Sequence, residues 1–306
     1  MKLVSLLERL EYTCLQGSTD QEVKNVIYDS RKVEEGSLFI CIRGAVVDGH
    51  KFVPDVIAKG AKVLVVEEAV EAPEDVTVIL VKDTRYAMAF ISAAYFGHPA
   101  EKLKTIGITG TKGKTTTTYM VKSILENAGY KVGLIGTIEA IIGDKVIPAK
   151  NTTPESYMIQ EYFHEMVEAG CDCVVMEVSS HGLALKKVDG IDFNIGIFTN
   201  LTQDHLDFHK TMENYCLAKA KLFKMCKTGI INVDDKWSQK IIDEATCDII
   251  TYSIDEPSDL QAKNIHYLMD RVVFTVNING ADVDFNLKVP GRFSIYNALG
   301  VIGAAL

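Results

Sequence analysis

No apolar run in this 306-residue chain is long enough to cross a bilayer, and the first ten residues set Glu8 and Arg9 inside their apolar pattern. That pattern suits a short amphipathic helix better than a secretory signal, so no membrane insertion and a cytoplasmic location are expected. Positive charge is in deficit: 32 Lys and Arg against 41 Asp and Glu give a net charge of −9. The balance argues against nucleic acid or an anionic membrane as partner, yet it leaves room for a locally basic phosphate pocket. The seven cysteines are odd in number and form no paired framework, which fits reduced thiols rather than a disulfide scaffold. Cys171-Asp172-Cys173 lacks a second Cys or His pair at zinc spacing and leads into Val174-Val175-Met176, so it reads as core. With 47% hydrophobic and 24% charged residues, the composition is that of a globular protein.

What is present is a glycine-rich turn. Ile106 to Thr118 reads as a buried strand, the loop TGTKGKT and a helix start, an arrangement that holds a nucleotide triphosphate. Gly110 and Gly113 let successive amides face an anion, Lys114 adds a point charge and Thr115 offers a hydroxyl to Mg2+, with Thr111, Lys112 and Thr116 completing the candidate ATP loop. It is a variant, because the first glycine of the general P-loop pattern falls at Ile108.

The length favours two domains, 1–98 and 99–306. Residues 1–98 alternate short strands (23–28, 38–42, 63–66, 76–81) with helices (51–59, 84–95) and read as a small N-terminal α/β domain. Residues 99–306 repeat the rhythm, with strands at the P-loop, 132–135, 172–178, 195–198, 230–233 and 248–252 and helices at 115–127, 154–169, 212–225 and 237–244. The pattern predicts an α/β, doubly wound, mostly parallel sheet with ligands at the carboxyl ends of its strands. Asn279-Gly280 between two β-prone runs predicts an antiparallel hairpin at its edge, and a final helix is expected over 294–306.

Two strand ends carry the chemistry. Glu177 closes one, where a P-loop sheet places a carboxylate for nucleotide-bound Mg2+; by itself such a glutamate is more often a surface or ion-paired residue. The next strand ends in TNLTQDHLDFH, which gathers Asp204, His205, Asp207 and His209; a capped polar loop is the alternative, and the spacing is not HExxH.

TGTKGKT, EVSSHGL, TNLTQDHLDFH, Asp29-Ser30-Arg31 and Asn151-Thr152-Thr153-Pro154 together resemble the ATP-dependent Mur ligases of peptidoglycan synthesis, most closely the branch that adds the third residue of the peptide. The resemblance spans the chain. It implies that Gly110 to Thr116 hold ATP, that Thr115 and Glu177 serve one Mg2+, that His205 serves a second, and that Lys219 carries a carbamate bridging toward the metal. Lys114, Lys219 and His205 are thereby the catalytic candidates. Sequence alone allows Lys219 to be a solvated side chain of a basic helix. The resemblance also places Ser30, Asn151, Thr152, Thr153, Ser179 and His181 around UDP-MurNAc-L-Ala-D-Glu, with His50 toward the uridine and Asn297 near the adenine. Lys187 stands where the family often has arginine, keeping the charge but losing the bidentate fork. The implied activity is phosphorylation of the D-Glu carboxylate and its joining to a diamino acid, lysine or meso-diaminopimelate. A monomer is expected, lacking the C-terminal amino-acid-binding domain and so inactive alone. Two alternatives stay open: a related ligase acting on folate or adding a dipeptide, and a nucleotide switch, although NKxD and DxxG sequences are missing.

Overall fold

The computed structural model describes residues 1–44 and 47–306. By its internal contacts the chain forms two units: Met1–Pro99 with Glu155–His164 and Leu185–Gly190, and the remainder.

The first unit contains α1 (Leu3–Leu6), β1 (Tyr12–Gln16), β2 (Asn25–Ile27), β3 (Ser37–Ile40), α2 (Val53–Ala58), β4 (Val63–Val66), β5 (Thr77–Val81) and α3 (Thr84–Tyr95). Its sheet runs β1-β5-β4-β3-β2, parallel except for β1. Successive residues of β3 and β4 point to opposite faces, so Leu38, Ile40, Val63 and Val65 pack with α1 and α3 while Phe39 and Leu64 pack with α2. Both faces are apolar because both are covered, which is why these strands read as unbroken hydrophobic runs. Asp83 caps α3 by accepting from the Tyr86 amide at 2.8 Å.

The second series comprises β6 (Lys104–Thr109), α4 (Lys114–Asn127), β7 (Val132–Ile135), β8 (Glu139–Ile142), β9 (Lys145–Pro148), α5 (Ser156–Glu168), β10 (Cys173–Glu177), α6 (Ser180–Ala184), β11 (Phe193–Phe198), α7 (Leu206–His209) and α8 (Met212–Ala220). It continues with β12 (Cys226–Asn232), α9 (Ser238–Glu244), β13 (Asp248–Ser253), β14 (Leu260–Tyr267), β15 (Val272–Ile278), β16 (Ala281–Leu287) and α10 (Arg292–Ala305). The sheet order is β16-β15-β14-β13-β12-β11-β6-β10-β7-β8-β9. The expected α/β architecture with a mostly parallel sheet is present, and the hairpin turns at Asn279 (φ 52°) and Gly280 (φ 86°) as the sequence signalled. Crossovers make β12, β11, β6 and β10 neighbours, so the loops after four separate strands meet at one edge.

Several elements differ from expectation. Strands β1, β14 and the β8–β9 hairpin were not expected. The last of these turns on Gly143-Asp144, and its strands are only four residues each, too short for a period-2 pattern to stand out. The helix expected over 212–225 stops at Ala220 and tightens into a 3₁₀ turn over Lys221–Lys224. The amphipathic N-terminus yields a single helical turn. No helix among the described residues is long and apolar enough to cross a membrane.

Candidate active site

The loop after β6 is held by the loop after β11. Thr199 Oγ1 donates to the Lys112 carbonyl at 2.7 Å. Asn200 accepts from the Lys112 amide at 3.0 Å, donates back to its carbonyl at 3.0 Å and receives the Thr111 amide on its own carbonyl at 2.8 Å. The approach is so close that a Cβ on Gly110, whose φ is 146°, would lie 1.9 Å from Thr199 Oγ1. Gly113 (φ 87°) precedes α4, and Asn297 Oδ1 stands 2.6 Å from where its Cβ would be. Only glycine meets both demands.

Two lysines converge on one carbonyl of this loop. Lys114 Nζ donates to Gly110 O at 2.9 Å and to Thr111 O at 3.1 Å. Lys219, 1% exposed on α8, donates to the same Gly110 O at 2.9 Å and sits 4.6 Å over the Tyr215 ring. Tyr215 in turn lies 3.2 Å from Thr111 Oγ1. Burial pushes the Lys219 ammonium well below the ordinary lysine range, and the neighbouring Lys114 charge pushes it the same way. Burial also lowers Lys114, against the attraction of Glu177 and Asp204. Of the two sequence readings of Lys219, the solvated one does not match this burial.

Glu177, 1% exposed at the end of β10, accepts from the Thr137 amide and hydroxyl, both at 2.9 Å. Thr152 Oγ1 lies 3.1 Å from the Thr137 hydroxyl oxygen. Thr153 Oγ1 accepts from the Ser179 amide at 2.9 Å and lies 3.1 Å from the Glu177 carbonyl and 3.0 Å from Ser179 Oγ. Asn151 is exposed next in sequence to them, while Thr115 is half-buried and Thr116 exposed on α4. The structure therefore groups Thr152, Thr153 and Ser179 around the Glu177 end of β10. His181 stacks among His205 (4.9 Å between ring centres), His209 (5.5 Å) and Phe208 (4.3 Å). His205 is half exposed, in a left-handed conformation, with its Nδ1 3.7 Å from Asp204. No three His, Cys, Asp or Glu side chains among the described residues converge to hold a metal.

His209 is buried, bonded through Nε2 to Ser180 Oγ at 2.9 Å and stacked on Tyr215 at 5.0 Å. Burial first, then the nearby charges of His181, Lys219 and His205, push it down to about 4. The unfolded ring titrates near ~6.5. Between those values the unfolded chain binds the extra proton, so stability falls as the pH drops. We expect this group to remove up to about 2 kcal/mol between pH 7 and pH 5. His209→Gln should flatten the dependence of the melting temperature on pH over that interval; equal slopes in parent and variant refute it.

The sequence missed the cleft of about 420 Å³ beside Gly113, lined by Asn232, Asp234, Phe293, Tyr296 and Asn297. Asp234 accepts from the Ile254, Asp255 and Glu256 amides and from Tyr296 at 2.8 Å. The one available signal was its position just after β12, at the carboxyl edge.

In the first unit, Asp29 binds Arg31 with both oxygens (2.8 and 2.7 Å), and the Ser30 carbonyl accepts from Lys59 at 2.7 Å. His50 is buried, its Nδ1 2.6 Å from Asp48 and its Nε2 accepting the Glu67 amide at 3.0 Å, so both ring nitrogens are engaged within the protein. Lys187 Nζ lies 3.0 Å from Glu155.

Two family descriptions match: the Mur ligase middle domain over residues 108–305 and the Mur ligase family catalytic domain over 22–96. The chain is 50% identical over 307 aligned positions to the UDP-N-acetylmuramoyl-L-alanyl-D-glutamate–2,6-diaminopimelate ligase of Clostridium perfringens, covering 99% of this chain and 63% of that one. The ligase of the same name from Clostridium tetani is 48% identical, with 100% and 64% covered. A solved structure of a UDP-N-acetylmuramoyl-L-alanyl-D-glutamate–2,6-diaminopimelate ligase superposes with a TM-score of 0.87 at 25% identity, over 100% of this chain and 63% of that one. MurF from Acinetobacter baumannii, at 22% identity and a TM-score of 0.65, shares the fold. The chain thus spans a little under two thirds of the length of these relatives. On the extent of these matches, it belongs to the Mur ligase family.

Proposed function

We propose that this chain provides the UDP-sugar and ATP portions of a cytoplasmic, monomeric ligase that joins UDP-MurNAc-L-Ala-D-Glu to a diamino acid. Residues 1–98 are assigned to the sugar nucleotide and 99–306 to ATP. The relatives' names favour diaminopimelate over lysine. The observation that carries the reading is the pair of lysines, Lys114 and Lys219, on the Gly110 carbonyl within a glycine loop clasped by Thr199 and Asn200. A phosphate loop so held is preorganised, and the Lys114 cation acts where charge develops on the transferred phosphoryl group. The D-Glu carboxylate attacks the γ-phosphorus, ADP leaves and an acyl phosphate forms. The incoming amine then attacks the acyl carbon, phosphate departs, and the nitrogen loses a proton as the amide forms. Asn297, Tyr296 and Asp234 line the cleft assigned to the adenosine.

Thr115 and Glu177 offer the hard oxygens that Mg2+ takes alongside phosphates. Bound there, Mg2+ supplies charge neutralisation on the phosphates. Lys219 as an amine has no oxygen to offer; its depressed basicity favours the neutral form that carbon dioxide converts to a carbamate, which together with His205 fits a second ion.

Calorimetric titration of the chain with ATP and Mg2+, with GTP and with UDP-MurNAc-L-Ala-D-Glu tests the reading. Binding of ATP and of the sugar nucleotide, with GTP excluded, is expected; no binding of the sugar nucleotide overturns it. Glu177→Gln keeps the shape that Thr137 grips and removes the charge. It should lower Mg2+-dependent ATP affinity by about tenfold while the melting temperature stays near the parent's. A collapsed fold with no separate effect on Mg2+ counts against the metal role.

A further inference from the structure

The clasp on the phosphate loop is itself braced from behind. Residues 198–201 turn one side to the loop, through the Thr199 and Asn200 bonds given above, and the other to β12 and β13. On that far side Asn232, 4% exposed at the end of β12, donates through Nδ2 to the Thr199 carbonyl at 2.8 Å. Its Oδ1 accepts from the Asp234 amide at 3.2 Å, which keeps the donor end aimed at Thr199. Asp235 accepts from the Leu201 amide at 2.7 Å with one oxygen and from the Trp237 amide at 2.9 Å with the other. Both residues also line the cleft beside Gly113. A carboxylate there repels a polyphosphate, so its presence needs another cause, and the two amides that it holds provide one.

We propose that Asn232 and Asp235 are positioning residues for the phosphate loop: they fix residues 199–201, which in turn fix Gly110 to Gly113, and neither touches phosphate. This rests on the ATP reading above. Without the Asn232 donor the Thr199 carbonyl loses its partner, and without the Asp235 acceptor the Leu201 N–H loses its own. A sheltered backbone group left unpaired costs more than the bond contributed. The segment then shifts to recover a partner, and the bonds from Thr199 and Asn200 to Thr111 and Lys112 shift with it. The loss falls on the phosphate chain rather than on the base.

The test titrates parent, Asn232→Leu, Asp235→Asn and Tyr252→Phe with ATP and with inorganic tripolyphosphate, each with Mg2+, well below every melting temperature. Asn232→Leu removes the donor without adding charge. Asp235→Asn leaves one acceptor oxygen for two amides; acting by charge alone it would tighten tripolyphosphate binding, whereas a lost anchor weakens it. Both variants should bind ATP and tripolyphosphate about tenfold more weakly than the parent. Tyr252→Phe is the matched control: it removes a buried bond from the Tyr252 hydroxyl to the Phe198 carbonyl at 3.0 Å, one residue before the clasp and inside the β11 ladder. It should lower the melting temperature and leave both affinities parent-like. Tripolyphosphate carries no nucleoside, so a loss confined to ATP means direct contact with the nucleoside and overturns the proposal. Parent-like or tighter tripolyphosphate binding by either variant, or an equal loss in Tyr252→Phe, also overturns it while the ATP reading stands. So does a parent that binds ATP but no tripolyphosphate, because a loop shaped in advance holds the phosphate chain alone. A parent that binds neither overturns both.

Discussion

In a full-length ligase that carries this chain, Lys219→Ala is expected to cut phosphoryl transfer to the muramoyl-dipeptide by about 10³-fold, the scale on which removing one preorganised charge stabiliser acts. The side chain is buried against Gly110 O and the face of Tyr215, where a charged ammonium is disfavoured and a neutral amine is available to carbon dioxide. In ¹³C-bicarbonate the parent should therefore show a carbamate carbonyl resonance that Lys219→Ala lacks. Affinity for UDP-MurNAc-L-Ala-D-Glu should remain within about threefold, because the loss falls on the reacting centre rather than on ground-state binding. Lys219→Met fills nearly the same volume and separates chemistry from packing: it should be as inactive as the alanine variant but melt closer to the parent. A carbamate signal that persists in the alanine variant, or turnover at the parent rate, removes Lys219 from the mechanism.

Gly110→Ala should have the next largest effect. The new Cβ would fall 1.9 Å from Thr199 Oγ1, on a backbone whose φ of 146° suits only glycine. Thr199 has little room to retreat, since its hydroxyl holds the Lys112 carbonyl and its amide binds Thr109 O at 3.0 Å. The loop must therefore shift, and with it the Gly110 carbonyl that both lysines share. An overpacked site costs about 1–3 kcal/mol, and at the upper end ATP affinity falls about 100-fold. Gly129→Ala is the control. That glycine also has a positive φ, 92°, but nothing lies within 4 Å of its Cβ position, so a small loss of stability and parent-like ATP binding are expected. Equal ATP affinities in the two variants would show that the clasp does not shape the loop.

Local signals made most of the scaffold readable. The unbroken apolar runs of β4, β6 and β10 and the Asn-Gly hairpin depend on contacts between near neighbours, and each was found within a residue or two of its place. Strands β8 and β9 escaped because each is only four residues long, and β14 because its second half is largely exposed, so none carries much periodicity. The candidate site divides along the same line. TGTKGKT announced itself, because glycines and a lysine at fixed spacing have a local reason to be there. Thr199 and Asn200 were visible only as part of a polar segment, and nothing nearby showed that they grip the loop some ninety residues before them.

Lys219 shows most plainly where local reading stops. Its neighbours Lys221 and Lys224 gave it the look of a solvated basic helix, and only resemblance suggested otherwise. Side-chain periodicity says which face of a helix a residue occupies, but not what covers that face. The sheet order decided that, by making β11 and β6 adjacent and bringing α8 over the phosphate loop, so that a lysine 109 positions away donates to Gly110 O. The same holds for Asn232 and Asp235, which reach the clasp 33 and 34 positions before them only because β12 pairs with β11. Chain order therefore settles the elements and the phosphate loop, whose causes are local. Burial, shifted basicity and charge partnership belong to the tertiary structure, because each depends on atoms that the chain brings together only by folding.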